Sequence, residues 1–190
     1  VVDASGYPIQ VKNGQAVIQP GNLLSGQSKK LFLTLRVPTH REQTFEIKGI
    51  NARYRYEGKP YEVSLAEGFQ LACVKDQQQV YGSIDKDEWE EKVLKDDLNK
   101  LREEVAAEVK KGKQEKALKR IDEYYRKQQS VNAVVASPKV ASSLERDLEE
   151  LRGVVNDTFQ GEPQEVRIKQ KTNSKSLQYE GYKGRRSKSH

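Results

Sequence analysis

The stretch Trp89–Val109, WEEKVLKDDLNKLREEVAAEV, decides the fold. Its Trp89, Val93, Leu94, Leu98, Leu101, Val105 and Val109 recur every three or four residues and therefore share one face of a helix. Ahead of Ser83 the period is two instead. In Lys30–Val37 the residues Leu31, Leu33 and Leu35 face one way, and Phe32, Thr34 and Arg36 the other. The change of period near Ser83 places a β region before a helical one.

Working outward on the helical side, Asp85 stands three residues before Glu88, an acidic form of the capping-box spacing. The first helix is expected to run to about Lys111, with Gly112 just past its end. A second follows with Ala117, Leu118, Ile121, Tyr124, Tyr125 and Gln128 inward, and Val131–Ala136 reads as an apolar linker, expected to bury under a helical hairpin rather than to form an exposed partner patch. Ser137 and Pro138 are an N-cap and first-turn proline for a third helix. Its Leu144, Leu148, Leu151 and Val155 step by four, three and four, the spacing of an antiparallel seam.

On the β side, Asn13-Gly14 predicts a hairpin between Ile9–Val11 and Gln15–Gln19, because both turn residues tolerate positive φ. Phe45–Tyr56 alternates, with a phase shift at Lys48-Gly49 where a bulge is expected. Glu57-Gly58-Lys59-Pro60 turns the chain into Tyr61–Leu65, and Phe69–Val74 follows Gly68. Six or seven short strands predict an antiparallel sandwich, with a single sheet covered by helices as the competing layout. The expected fold is α+β: an antiparallel β-sandwich over residues 1–82, and a helical hairpin or three-helix unit over 83–160. Over 161–190 the expectation is an edge strand at Glu165–Lys169 and a basic C-terminal tail.

Composition narrows the function. A chain of 190 residues with 35% hydrophobic and 33% charged side chains suits a modest core with solvated helices. No apolar run approaches the roughly 18 residues of a transmembrane helix. The net charge of +6 is concentrated at the end, where residues 162–190 carry eight Lys/Arg against three Asp/Glu. The chain has no Met and begins Val-Val-Asp, so it is expected to be a processed or truncated piece.

The segment Val17–Pro38, VIQPGNLLSGQSKKLFLTLRVP, resembles the region that follows the von Willebrand factor A (VWA) domain in bacterial multidomain proteins. There a Gly-x-Leu-x-x-Gly turn precedes a Leu/Val-rich strand ending in Val-Pro. Gly21, Leu23 or Leu24, and Gly26, then Leu31, Leu33, Leu35, Val37 and Pro38, fill those places. The resemblance implies an accessory region, a sandwich with a helical appendage, in protein–protein assembly or adhesion, with an extracytoplasmic or cell-envelope setting. The family's metal-binding signature is Asp-x-Ser-x-Ser. Asp3-Ala4-Ser5-Gly6-Tyr7 departs from it at Tyr7, so no cofactor is expected in this chain, and a divalent cation would belong to a domain upstream.

Little else points to chemistry. The two histidines are His40, in a Pro38–Glu42 turn, and the terminal His190, too few for a triad or zinc site of ordinary composition. Cys73 lies in an apolar run and reads as a buried, inert thiol. Asp85-Lys-Asp87 and Asp96-Asp97 lack the glycine and spacing of a calcium loop and read as helix-start acids and a solvated face. Asn156-Asp157-Thr158 has the form of a glycosylation acceptor near a helix end. Tyr54, Tyr56, Tyr61 and Phe45 are assigned to core and edge packing.

The tail supplies the rival function. Lys169, Lys171, Lys175, Lys183, Arg185, Arg186 and Lys188, interleaved with Tyr179 and Tyr182, are candidate contacts for nucleic acid or another anionic surface. The expected function is thus non-enzymatic: a protein partner first, an anionic partner through the tail second.

Overall fold

The computed structural model describes residues 1–186, and the chain divides into two compact units. One joins residues 1–36 to the helices from Ile84 onward, and the other is residues 37–83. The class is α+β, with small antiparallel sheets first and helices after them.

In the first unit, β1 (Asp3–Ala4) pairs with β4 (Leu33–Thr34), and β2 (Ile9–Lys12) pairs with β3 (Gln15–Ile18). The β2–β3 turn has Asn13 at φ 50 and Gly14 at φ 75, as the Asn-Gly pair requires. The helical part starts with α2 (Lys86–Glu91), capped by Asp85, whose carboxylate accepts from Glu88 N at 3.0 Å. It continues without a break through a π-helical turn (Lys92–Asp97) into α3 (Leu98–Lys110). The π turn has a cause in sequence. Val93 and Leu98 are five residues apart, and an added residue per turn lets both point inward.

Next come α4 (Gln114–Val135), α5 (Pro138–Thr158) and α6 (Pro163–Arg185). Leu101, Val105 and Val109 of α3 meet Ala117 and Ile121 of α4 and the α5 seam Val140, Leu144, Leu148, Leu151 and Val155 in one core. Ser137 caps α5 as expected, accepting from Val140 N at 3.1 Å. Val131–Ala136 is not a linker. It is the last turn of α4, with Val134 exposed and Ala136 stopping the helix at φ 53.

The expected edge strand at Glu165–Lys169 is helical. Pro163 sits in the first turn of α6, and the Glu162 N–H donates to the Glu165 carboxylate at 3.3 Å, which starts a helix there. α6 then runs antiparallel to α3 at close range. A Cβ on Gly181 would fall 2.5 Å from the Asn99 carbonyl oxygen, and one on Gly184 would collide with the Asn99 side chain. The "tail" is therefore a packed helix with Ser174, Leu177, Gly181 and Arg185 inside.

The second unit is a two-stranded ribbon with one short helix. β5 (Gln43–Ile47) pairs with β8 (Phe69–Cys73), and β6 (Asn51–Tyr56) with β7 (Lys59–Ser64). These nested ladders share one hairpin whose tip, Glu57-Gly58, has positive φ at both residues. The register slips by one between the ladders, at Lys48–Ile50 against Leu65–Gly68, where the phase shift predicted a bulge. The unexpected α1 (Gln77–Gly82) follows, capped by Asp76.

The β-sandwich of residues 1–82 is not formed, because every ladder is two-stranded. A sandwich needs two sheets with apolar faces to press together. Here the strands of residues 1–36 span two to four residues, and one face of β6–β7 is Asn51, Arg53, Arg55, Glu62 and Ser64.

Truncating the wholly buried Leu148 to Ala is expected to lower stability by about 2–5 kcal/mol in urea melts followed by circular dichroism. Val134→Ala, on an exposed side chain, should stay within about 0.5 kcal/mol of the parent.

Candidate interaction surfaces

The inner face of α6 ends in a guanidinium. Ser174, Leu177, Gly181 and Arg185 step by three, four and four, which carries Arg185 to the end of the α3–α6 seam with its side chain 4% exposed. Nε donates to Asp96 Oδ1 at 2.9 Å, Nη2 to both Asp3 oxygens at 2.8 and 2.7 Å, and Nη1 to Glu103 at 3.4 Å. Asp3 also takes Lys100 Nζ at 2.9 Å and the Gly6 N–H at 3.1 Å. Asp96 is 2% exposed and shares Lys92 with Asp97. The expectation of a solvated Asp96 is overturned. The π turn aims it at the seam rather than at water.

The charges in this cluster are tuned by burial and by each other. Burial alone would raise the Asp3 carboxyl, but hydrogen bonds from Lys100 and Gly6 and the Arg185 charge outweigh it and hold it at about 2. For Glu103 burial prevails, and its carboxyl is raised despite Arg185, with Asp3 adding repulsion. Burial would lower Arg185 and Lys92, yet their carboxylate partners leave both raised. Among the described residues no buried side-chain polar atom lacks a partner. The cluster is saturated, which suits holding the fold rather than reacting.

Arg186, next in sequence, stacks 4.0 Å from the Tyr182 ring centre and 4.6 Å from that of Tyr7, and it donates to the Gly6 carbonyl. Lys169 staples the α5–α6 turn through Asp157 Oδ1 at 2.9 Å. The remaining candidates, Lys171, Lys175, Tyr179, Tyr182 and Lys183, lie exposed on the outer side of α6. Lys188 and His190 lie outside the described residues.

In the ribbon unit the directly paired residues of β6–β7 sort into two faces. One holds Ala52, Tyr54, Tyr56, Tyr61 and Val63, with Lys59 at the tip, continued by Ile50 and Leu65, which meet through a Leu65 N–H to Ile50 O bond of 2.9 Å. Tyr54 and Tyr61 stack at 5.3 Å between ring centres. The other face is polar and carries the Arg53–Glu62 ion pair at 3.1 Å. In β5–β8, Phe45, Ile47, Phe69 and Leu71 share a face in the same way. These aromatics are not core: no residue of 37–83 is buried, and Tyr54, Tyr56, Tyr61, Val63 and Phe69 are all exposed.

Other candidates resolve as structure. His40 is exposed, and Cys73 is half-buried with its Sγ 4.0 Å from the Thr39 carbonyl. Thr158 is fully buried and bonded to Val154 O at 2.6 Å and Asn173 at 2.8 Å. Among the described residues no trio of His, Cys, Asp and Glu is placed to hold a metal ion, and no helix is long and apolar enough to cross a membrane. No family model matches the chain, and neither curated proteins nor solved structures gave a significant match.

Arg185→Met is expected to destabilise the protein by about 3–5 kcal/mol, because Asp3 and Asp96 lose the buried cation they share and keep only Lys100 and Lys92. Adding Asp96→Asn should recover part of that loss in a double-mutant cycle. Acid should weaken the parent along the same axis. The Asp3 carboxyl is depressed from 3.8 to about 2, so its contribution is full above pH 4–5 and is lost as the pH falls toward 2. Urea melts in that range should show a smaller acid loss for Asp3→Asn.

Proposed function

We propose that this chain is a non-enzymatic assembly module whose ribbon, residues 43–73, docks on a protein partner through its apolar face. The observation that carries this reading is that the ribbon unit exposes tyrosines, Val63, Leu65 and Phe69 and buries no residue. An isolated two-stranded hairpin is marginal in water, and a contiguous uncovered apolar face marks an interaction site.

Magnitudes favour a broad contact. Burying Val63, Leu65, Phe69 or Leu71 gains about 1.5–3 kcal/mol each. Association costs about 4–15 kcal/mol in lost freedom of motion. A partner touching one or two of these side chains would not stay bound, whereas one covering the whole face, with the Tyr54–Tyr61 stack, would. The resemblance at Val17–Pro38 adds the context of an accessory region in a VWA-type protein, where such a face would serve assembly or adhesion. The saturated Arg185 cluster supports a binding role over a catalytic one, since its charges are spent on each other.

A photoreactive phenylalanine analogue at position 63, on the apolar face, should give a protease-sensitive adduct of defined mass in cells of the source organism. The same analogue at position 62, on the polar face, should not. Equal crosslinking from both positions, or adducts removed by nuclease alone, would sink the reading. An Asp-x-Ser-x-Ser segment in the same polypeptide, found by mass mapping of the native protein, tests its VWA context.

A further inference from the structure

We propose that the outward face of α6 is a binding track for single-stranded nucleic acid, separate from the ribbon's protein partner. At about 100° per residue, Ile168, Lys171, Lys175, Tyr179 and Tyr182 fall on one strip with Lys183 at its edge, opposite the packed Ser174, Leu177 and Gly181. All six are exposed, Tyr179 at 63%. Among the described residues none of the three lysines makes an ion pair. Glu180, the one carboxylate between Arg167 and Lys183, lies to the side and accepts from Ser176 at 2.9 Å.

The α3–α4 turn meets the other side of α6, where a Cβ on Gly112 would stand 3.5 Å from the half-buried Gln170 side chain, so the strip's cations are those of α6 itself. Lys171 and Lys175 are one helical turn apart, about 6 Å along the axis. Cations at such intervals displace counterions from a phosphate backbone, and tyrosines between them offer ring faces on which bases stack. Tyr182 is held for this by Arg186, which covers one side of its ring at 4.0 Å.

Charge complementarity fixes the partner as a polyanion, and the aromatic content selects its kind. Anchoring to an anionic membrane needs apolar area that inserts, and the strip has a single aliphatic side chain, Ile168. Duplex readout relies on Arg, Asn or Gln reaching base edges, and the strip presents Lys and Tyr.

Fluorescence anisotropy of the full chain with a labelled oligothymidylate of about 16 nucleotides tests the proposal. Affinity should fall with salt at a log–log slope of about −2, as three displaced cations predict. Lys171→Gln with Lys175→Gln should flatten that slope by about 1.4. Tyr179→Ala should weaken binding roughly tenfold, while Tyr179→Phe keeps it, because stacking needs the ring. All these side chains are exposed, and circular dichroism checks that the variants fold. No binding at low salt, a slope unchanged in the double lysine variant, or binding to phosphatidylglycerol vesicles but not to the oligonucleotide would overturn it. Val63→Asp should leave oligonucleotide binding intact, which separates this track from the ribbon's role.

Discussion

A guanidinium removed from water has to be met by carboxylates, and Arg185 is met by three that come from distant parts of the chain. Desolvating each ion costs several kcal/mol, and only the complete set repays it. Asp3 must therefore be brought in by β1, Asp96 by the π turn, and Glu103 by α3, all at once. The network ties the end of the last helix to the first strand and to the entry of the helical core. The first 36 residues belong with the helices for this reason, although their alternating sequence reads as part of a β region.

Two local irregularities make that meeting feasible. A regular α-helix through Lys92–Asp97 would put Val93 and Leu98, five residues apart, on diverging faces, and the π turn brings both inward while Asp96 is buried at the α6 seam. Glycines at positions 181 and 184 let α6 approach the backbone and side chain of Asn99 closely enough for Arg185 to reach across. Each is a departure from ideal helix composition or geometry, and each lies along the seam that Arg185 closes. Arg186, held between Tyr7 and Tyr182, fastens the same corner from outside by cation–π contacts and the Gly6 carbonyl.

The two units are stabilised on different terms. The helical unit buries leucines and valines of α3 and α5 with Ala117 and Ile121 of α4 in one core. The ribbon unit gains its cohesion from backbone ladders, the Tyr54–Tyr61 stack and surface ion pairs, and leaves its apolar side chains in water. Exposed ion pairs contribute little, about 0–1 kcal/mol each. The helical unit thus carries its own core, whereas the ribbon unit leaves an apolar face exposed.

What the sequence by itself determined was whatever depends on neighbours in the chain. Asp85 and Ser137 cap their helices, Asn13-Gly14 turns a hairpin, Leu144 to Val155 form a seam, and the slip at Lys48-Gly49 appears as a change of register, because each needs only spacing and local hydrogen bonds. What only the tertiary structure decided was where those pieces bury their surfaces. Alternation in Phe45–Tyr56 shows that one face is apolar, but not that it stays uncovered. The basic run from Lys169 reads as a solvated tail because its inner face is built of Ser174, Gly181 and Arg185, residues whose burial depends on partners up to 182 positions away. Arg185 is polar in isolation and becomes interior only when Asp3, Asp96 and Glu103 surround it, and no local pattern encodes a charge balance assembled from both ends of the chain.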